Sequence, residues 1–357
     1  MTDHRRLVVV GAGVIGLSSA WRAAQSGWSV TVVDPHPMHG ASWAAAGMLA
    51  PITESTPAEP ELLALGLRAV ALWPQFAQQL ADSAGQPCGF QDAATVVVAF
   101  DRDDRVELQR LQAQLTDHSL PVEPLSTSQL RELEPAVCAQ AAAGLLVPGD
   151  WSVDNRSLLG ALDAALYRLE VPTLRERVVA VSENQVVCAS GLTLQADAVL
   201  VAAGIDTPTL VPGTDVRPVK GQIIRVTMTA ATGRLLNRTI RGLVRGRHVY
   251  LVPRSNGEIV IGATMEERGR DISVTVGGVG ELLEDARLLV PGIDECELVE
   301  TWAGLRPVSR NNLPIMGIVD GVVVNTGHGR NGILLTPLAS QEAIRLLEQL
   351  KAGRSDG

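Results

Sequence analysis

The first chemistry in this sequence lies near its start, in Gly11-Ala12-Gly13-Val14-Ile15-Gly16. Glycines at this spacing suit a strand-to-helix turn that holds a pyrophosphate. Gly11 permits the tight turn, Gly13 lets the backbone approach the phosphates, and Gly16 lets the helix pack closely on the strand. A helix opening at Val14 and Ile15 would offer free N–H groups and the positive end of its dipole to the phosphates. Asp34, 18 residues beyond Gly16 and followed by Pro35, is placed to bond ribose hydroxyls. The competing reading is a glycine-rich turn with an incidental acid. The order of strand, glycine turn, helix, strand and acid favours a dinucleotide, yet these residues alone do not separate FAD from NAD. No Ser/His/Asp or Cys/His set points to another chemistry. The four cysteines, Cys88, Cys138, Cys188 and Cys296, form no CxxC pair and no Cys/His cluster at metal-ligand spacing, so no metal site is expected and they read as reduced thiols.

The elements that must position this motif are legible around it. Leu7–Val10 is an apolar, valine-rich run, Leu17–Gln25 has helical composition, and Val30–Val33 is a second apolar run ending at Asp34. Fully apolar strands of this kind suit a parallel sheet covered on both faces. Pro51–Pro60 is expected to be a surface connection and Glu61–Leu80 a helix. Ala94–Phe100 reads as a strand, Arg102–Leu115 as a helix, and Ser126-Thr127-Ser128-Gln129 as the capped start of a short helix. Asn155–Leu169 is the next helix; Val178–Val181, Gln185–Cys188 and Thr193–Gln195 alternate with turn residues as short strands do. Ala198–Ala203 runs apolar into Gly204. From Gly221 to Met265 the pattern is mostly strands, with Ser255-Asn256-Gly257 marking a hairpin. Gly280–Leu289 reads as a helix and Val322–Asn325 as a last strand, leading into a glycine-rich loop and a C-terminal helix to about Leu350.

At 357 residues, 46% of them hydrophobic, the chain is ample for two closely connected domains. Aromatic content of 3% against 34 glycines implies a core of small and aliphatic side chains. The formal net charge of -9, with no Lys/Arg run, argues against nucleic acid as a partner. The basic start before Leu7 runs into a glycine motif instead of a cleavage site, so no secretory signal is expected. No uninterrupted apolar run of about 18 to 20 residues occurs, so no membrane span is expected either, and a cytoplasmic protein is the default.

The segment Gly40-Ala41-Ser42-Trp43-Ala44-Ala45-Ala46-Gly47-Met48-Leu49-Ala50-Pro51 resembles the stretch after the second strand in FAD-dependent glycine oxidases and their D-amino acid oxidase and sarcosine oxidase relatives. Further blocks keep the same order: Pro218–Gly221, His248–Arg254, Gly262–Met265, Trp302–Pro307 and Gly327–Leu334. Within the family the chain is most similar to the glycine oxidases of thiamine biosynthesis. The resemblance implies an α/β chain with a Rossmann-type FAD-binding domain of the glutathione-reductase kind and a second, α+β substrate domain on an antiparallel sheet. The expected boundaries are 1–85, 145–220 and 300–357 for the first, and 86–144 and 221–299 for the second.

It also implies residue roles. Non-covalent FAD would be held by the glycine motif with Asp34 and Pro35, by Ala41, Ser42, Ala46, Gly47 and Met48, and by Gly204 and the loop His328, Gly329, Arg330, Asn331, Gly332, Ile333 and Leu334. Val178 corresponds to a backbone contact on the adenine side. Arg306 corresponds to the substrate-carboxylate arginine, a role that suits a planar fork able to make two charge-assisted bonds. Tyr250 would add a hydroxyl to the same carboxylate, Arg330 a further substrate contact, and His248 and Met265 would line the pocket. Taken without the family, Tyr250 and Met265 read as packing and His248 as a polar strand residue. A helix N-terminus after the last glycine loop would stabilise charge developing on the flavin. Trp43 departs from relatives that carry a hydroxyl residue there. Cys296 precedes the Trp302–Pro307 block, unlike the late flavin-linking cysteine of sarcosine oxidases.

The reaction implied is hydride transfer from the Cα of glycine or another small amino acid (sarcosine, D-alanine, D-proline) to the flavin. Hydrolysis of the imino acid then gives a 2-oxo acid and ammonia, and molecular oxygen becomes hydrogen peroxide. In thiamine synthesis the glycine imine would feed the thiazole. Rival readings are a D-amino acid oxidase, a quinone-linked D-amino acid dehydrogenase, and a non-catalytic flavin-binding subunit of an amine dehydrogenase. A dimer or tetramer of the chain is compatible with all of them.

Overall fold

The computed structural model describes residues 5–230 and 232–355. The valine-rich strands become the centre of a six-stranded sheet in the order Ile315–Val319, Val322–Thr326, Ala198–Val201, Arg6–Val10, Ser29–Val33 and Thr173–Leu174. All neighbours are parallel except the first pair. Alternation along the strands sends each residue to one of two covers. Leu7, Val9, Val30, Val32 and Leu200 pack with the helices Val14–Gln25, Pro60–Ala84, Asn155–Arg168 and Thr336–Ser355. Val8, Val10, Val33, Val199 and Val201 meet the small sheet Val178–Ser182, Gln185–Cys188 and Thr193–Gln195 on the other side. Burial on both faces is why these strands carry no polar alternation.

The second layer system is an eight-stranded sheet in the order Glu297–Ser309, Val216–Thr227, Glu258–Gly262, Arg247–Pro253, Ile240–Val244, Thr95–Ala99, Ala143–Val147 and Glu123–Leu125. Its pairings are antiparallel apart from Ile240–Val244 with Thr95–Ala99. Helix Val276–Leu289 covers one face through Leu282, Ala286 and Leu289. The Ser255–Gly257 turn closes the expected hairpin, with Pro253 opposite Ile259. Capping is explicit in the sequence and in the structure: Asp101 and Ser126 form capping boxes with Asp104 and Gln129, and the Asp154 side chain caps Asn155–Arg168.

Strand Glu297–Ser309 pairs along its length with Val216–Thr227, so the eight-stranded sheet takes in residues from both sides of positions 220 and 300. The connection from Pro51 is only partly a surface loop. Pro51, Ile52 and Thr53 are buried, because the fully buried Asp150 carboxylate accepts the Ile52 and Thr53 N–H groups and the Thr53 hydroxyl. Among the described residues no helix is long and apolar enough to cross a membrane.

Candidate active site

At the first glycine turn, close approach leaves no alternative to glycine. A Cβ on Gly11 would stand 2.4 Å from the Ala202 carbonyl oxygen, and one on Gly16 would stand 1.8 Å from that of Gly11. Gly11 also has φ +106, a left-handed conformation that side chains avoid. Helix Val14–Gln25 starts here; the Val14 N–H donates to Ser42 Oγ at 3.0 Å, while the N–H groups of Ile15 and Gly16 have no protein acceptor among the described residues. Asp34 sits at the end of its strand, half-buried, accepting the Ala12 N–H on Oδ2 and the His36 N–H on Oδ1, each at 2.7 Å, with Pro35 between. Val178 opens the small sheet on the far face, just beyond Leu174, whose carbonyl accepts the Asp34 N–H.

The segment that follows crosses to the second sheet. Ala41–Ala44 is one helical turn, and its close approach to strand Glu297–Ser309 needs Gly304, where a Cβ would stand 2.5 Å from Ala44 Cβ. Gly47, φ +74, has no room for a Cβ, which would meet the Val153 oxygen at 1.9 Å. Met48 pairs with Ser152. Two buried side chains hold this segment. Asn155 donates to the Ser42 and Trp43 carbonyls at 2.9 and 2.8 Å. Arg254 donates to the Val153 carbonyl at 3.1 Å and the Ala46 carbonyl at 2.5 Å. Behind them lies a charge network: Arg225 donates to Glu258 and to Asn155 Oδ1 and lies in ion-pair range of Glu300, which Arg156 also pairs with. Burial pushes the Arg254 guanidinium down to about 10, still cationic at neutral pH. Trp43, without a hydroxyl to offer, has the Arg156 guanidinium 4.0 Å from its ring centroid and His39 stacked on it at 6.0 Å.

On the eight-stranded sheet, register places Arg241, Tyr250, Gly262, Ile223 and Trp302 in one row across adjacent strands. This face meets Ala46 and Met48. Tyr250 leans over Gly262, whose Cβ would come within 2.5 Å of the phenol oxygen. Arg306 lies across Gly221, where a Cβ would come within 2.3 Å of Nη1. The two glycines thus make room for a phenol and a guanidinium on one face of the sheet, near enough for Arg306 to act on the Tyr250 phenol electrostatically. Arg306 is half-buried, and its fork has one protein acceptor among the described residues, the Thr264 carbonyl at 3.3 Å from Nη1. No carboxylate pairs with it, although Arg225, Arg241, Arg247 and Arg254 all have one. Burial pushes the Tyr250 phenol up, so it stays a neutral hydroxyl.

The remaining expected residues divide. His328 is buried in the loop after strand Val322–Thr326; its Nε2 has no partner, and burial pushes the ring down to about 4, so it is neutral. Gly329, Arg330 and Asn331 form a 3-10 turn, and the C-terminal helix begins only at Thr336. The open donors therefore belong to the turn itself: the N–H groups of Gly332, Ile333 and Leu334 have no protein acceptor among the described residues. Gly204, φ +56, starts a short turn beside the same loop, its carbonyl accepting the Thr326 hydroxyl. Arg330 is engaged at the rim by Glu59 and Glu54. His248 and Met265 are not enclosed with Arg306 and Tyr250. The His248 side chain is 65% exposed, 3.6 Å from Glu107, and Met265, past the end of its strand, is 75% exposed.

Sequence reasoning missed Asn155, Arg225, Arg254 and Lys220. Lys220, fully buried, pairs with Asp271 at 3.0 Å and Glu266 at 3.5 Å, and Gln222 bonds Glu266 and Thr275, so both pin the chain that leaves Thr264 under Arg306. A lysine and an arginine inside apolar strand patterns were the available signal, since such charges are buried only when paired.

The site suits a dinucleotide flavin on its own evidence: open N–H groups at two turns, glycine cradles that a Cβ would fill, and an unpartnered buried imidazole. The comparisons agree. Residues 6–346 match the family described as FAD dependent oxidoreductase. The glycine oxidase of Geobacillus kaustophilus is 33% identical over 98% of this chain and 94% of its own. A relative from Rhizobium etli, named as the thiamine biosynthesis oxidoreductase ThiO, is 32% identical over 96% of this chain and 97% of its own. The crystal structure of the Geobacillus glycine oxidase superposes with a TM-score of 0.87 at 31% identity, covering 97% of this chain and 95% of that one. The chain is therefore a member of the family of FAD dependent oxidoreductases to which the glycine oxidases belong.

Proposed function

We propose that this chain oxidises glycine, or another small amino acid such as sarcosine, D-alanine or D-proline, to a 2-oxo acid and ammonia with oxygen as acceptor. The observation that carries the reading is Arg306: a half-buried guanidinium without a carboxylate of its own, beside a free phenol, on the face that meets Ala46 and Met48. A fork so placed grips a carboxylate through two charge-assisted bonds, and the Tyr250 hydroxyl adds a third donor. Held at that end, a small amino acid presents its Cα and amine in a fixed direction, which is the positioning contribution of the protein. Ile223, Trp302 and Val252 wall the floor and keep water from it. No side chain there is a strong base, and none is needed if the amine reacts in its neutral form. Bound FAD supplies the two-electron chemistry.

Ile15, Gly16, Asp34 and the 41–48 segment would hold its diphosphate and ribose side, with Val178 near the adenosine. His328 and the N–H groups of Gly332 to Leu334 would face the ring. Arg330 stands at the rim, held by Glu54 and Glu59, while His248 and Met265 lie exposed outside the Arg306 and Tyr250 floor. Relatives named as glycine oxidases and as a thiamine biosynthesis oxidoreductase support glycine as substrate and thiazole supply as its use. A cytoplasmic homodimer or homotetramer, with residues 1–85, 145–220 and 300–357 as the FAD-binding domain and 86–144 with 221–299 as the substrate domain, completes the proposal. The test is an aerobic peroxide assay of the purified chain against glycine, sarcosine, D-alanine, D-proline and their L counterparts. Peroxide with none of them refutes the reading, and dye reduction without peroxide would assign a dehydrogenase.

A further inference from the structure

We propose that Glu54 sets the substrate class of this site, by occupying two arginines that would otherwise accept a second carboxylate; the proposal rests on the amino acid oxidase reading above. Arg241 is the direct cross-strand partner of Tyr250, so its side chain leaves the same face of the sheet as the phenol. Glu54 reaches it from the turn 51–54, with Oε1 2.9 Å from Arg241 Nη1. The other oxygen of the same carboxylate lies 3.7 Å from Arg330 Nε. Arg330 in turn pairs with Glu59, and Asn312 donates to Glu59 from the opposite side.

The result is a closed set of two cations and two anions at the rim, and Glu54, Arg241 and the acid-free Arg306 all lie close enough to Tyr250 to act on its phenol. Arg241 and Glu54 side chains are 19% and 16% exposed, so water neither screens the pair fully nor replaces either partner without cost. A substrate with one carboxylate needs only Arg306 and finds the rim neutral. A substrate with a second carboxylate meets arginines already satisfied and the charge of Glu54 itself. Selectivity here is exclusion by an occupied partner.

The geometry around Glu54 makes the idea testable without dismantling the turn. The turn is fastened by Asp150 through Ile52 and Thr53, independently of the Glu54 side chain. In Glu54→Gln the shape is kept, one negative charge is lost, and Arg241 becomes available. Iminodiacetate, a glycine whose nitrogen bears a second carboxymethyl arm, is the probe. The same C–N oxidation would give an imine that water splits into glyoxylate and glycine, with oxygen reduced to peroxide.

The expected result is that kcat/KM for iminodiacetate relative to glycine rises at least about tenfold in Glu54→Gln, with FAD content unchanged, and that Glu54→Gln with Arg241→Gln abolishes the rise. A rise below about threefold, or one that survives loss of Arg241, overturns the proposal. Binding gives a second readout that needs no turnover: titration of the flavin absorbance with acetate and with succinate. The parent protein should bind acetate at least as tightly as succinate, and Glu54→Gln should reverse that order. A parent that already prefers succinate overturns the role of Glu54 even if no amino acid is oxidised, whereas failure of glycine turnover with the expected binding order refutes only the oxidase reading.

Discussion

Arg306 is the residue on which the proposed activity turns, because its fork is open while neighbouring buried arginines are paired with acids. Two charge-assisted hydrogen bonds lost, each worth roughly 1.5 to 3 kcal/mol, should cost Arg306→Ala on the order of 10² to 10⁴ in kcat/KM. FAD content should stay near that of the parent. Arg306→Lys should recover only part of the loss, since an ammonium keeps the charge without the planar fork. Steady-state kinetics with glycine, alongside the flavin-to-protein absorbance ratio, checks both; an alanine variant within a few fold of the parent would place the carboxylate clamp elsewhere. Tyr250→Phe should be milder, about tenfold, because it removes one neutral donor and leaves the ring over Gly262.

At the scale of elements, the 41–48 segment is an irregular piece of chain whose placement depends on partners far away in sequence. Asn155 and Arg254 hold its carbonyls, and both are tied into the Arg225, Glu258 and Glu300 network. Removing one member of a buried ionic set leaves the others uncompensated, at a cost of about 3 to 5 kcal/mol. Arg254→Met should therefore lower the thermal midpoint and weaken FAD retention together, and equilibrium dialysis of FAD should show at least a tenfold weaker affinity. The Gly47→Ala change at the same segment should abolish FAD binding, since its Cβ would need the space of the Val153 oxygen; a yellow Gly47→Ala protein with parental affinity would contradict this.

For the whole molecule, two buried ionisable groups give opposite pH dependence of stability. Burial pushes the Asp150 carboxyl up to about 6 from 3.8. Between those values the folded state holds a proton that the unfolded state has released, so Asp150 makes stability fall as pH rises through that window. His328 is the reverse: its folded value is about 4 against 6.5, so the unfolded state binds the extra proton and stability falls as pH drops through that window. At 1.36 kcal/mol per unit each effect is about 3 kcal/mol. The parent should thus show a shallow stability profile between pH 4 and 6.5. Asp150→Asn should become steeply less stable on acidification, and His328→Asn should gain stability toward acid. Denaturant midpoints of the holoprotein across this range decide it, and parallel profiles for all three would refute the opposition.

The βαβ unit, the glycine turn, the acid at Asp34, the small three-stranded sheet and the Ser255–Gly257 hairpin were all legible in the sequence, because each is encoded by local periodicity and by glycines that the turn requires. The family resemblance named Arg306 and Tyr250 as well. What the sequence did not contain was which charges meet. Around the site the acids are taken: Glu54 by Arg241 and Arg330, Glu266 by Lys220, and, farther along the strand, Glu300 by Arg156 and Arg225. Those partners are separated by tens to hundreds of residues and are joined only by strand register and long-range packing: Arg225 and Glu300 are cross-strand partners, and Lys220 and Glu266 bridge beside the same strand. The same holds for Pro51–Thr53, which local composition marks as a surface connection and which Asp150, nearly a hundred residues on, draws into the interior. Local pattern determined the elements; long-range pairing of buried charges decided which guanidinium was left open.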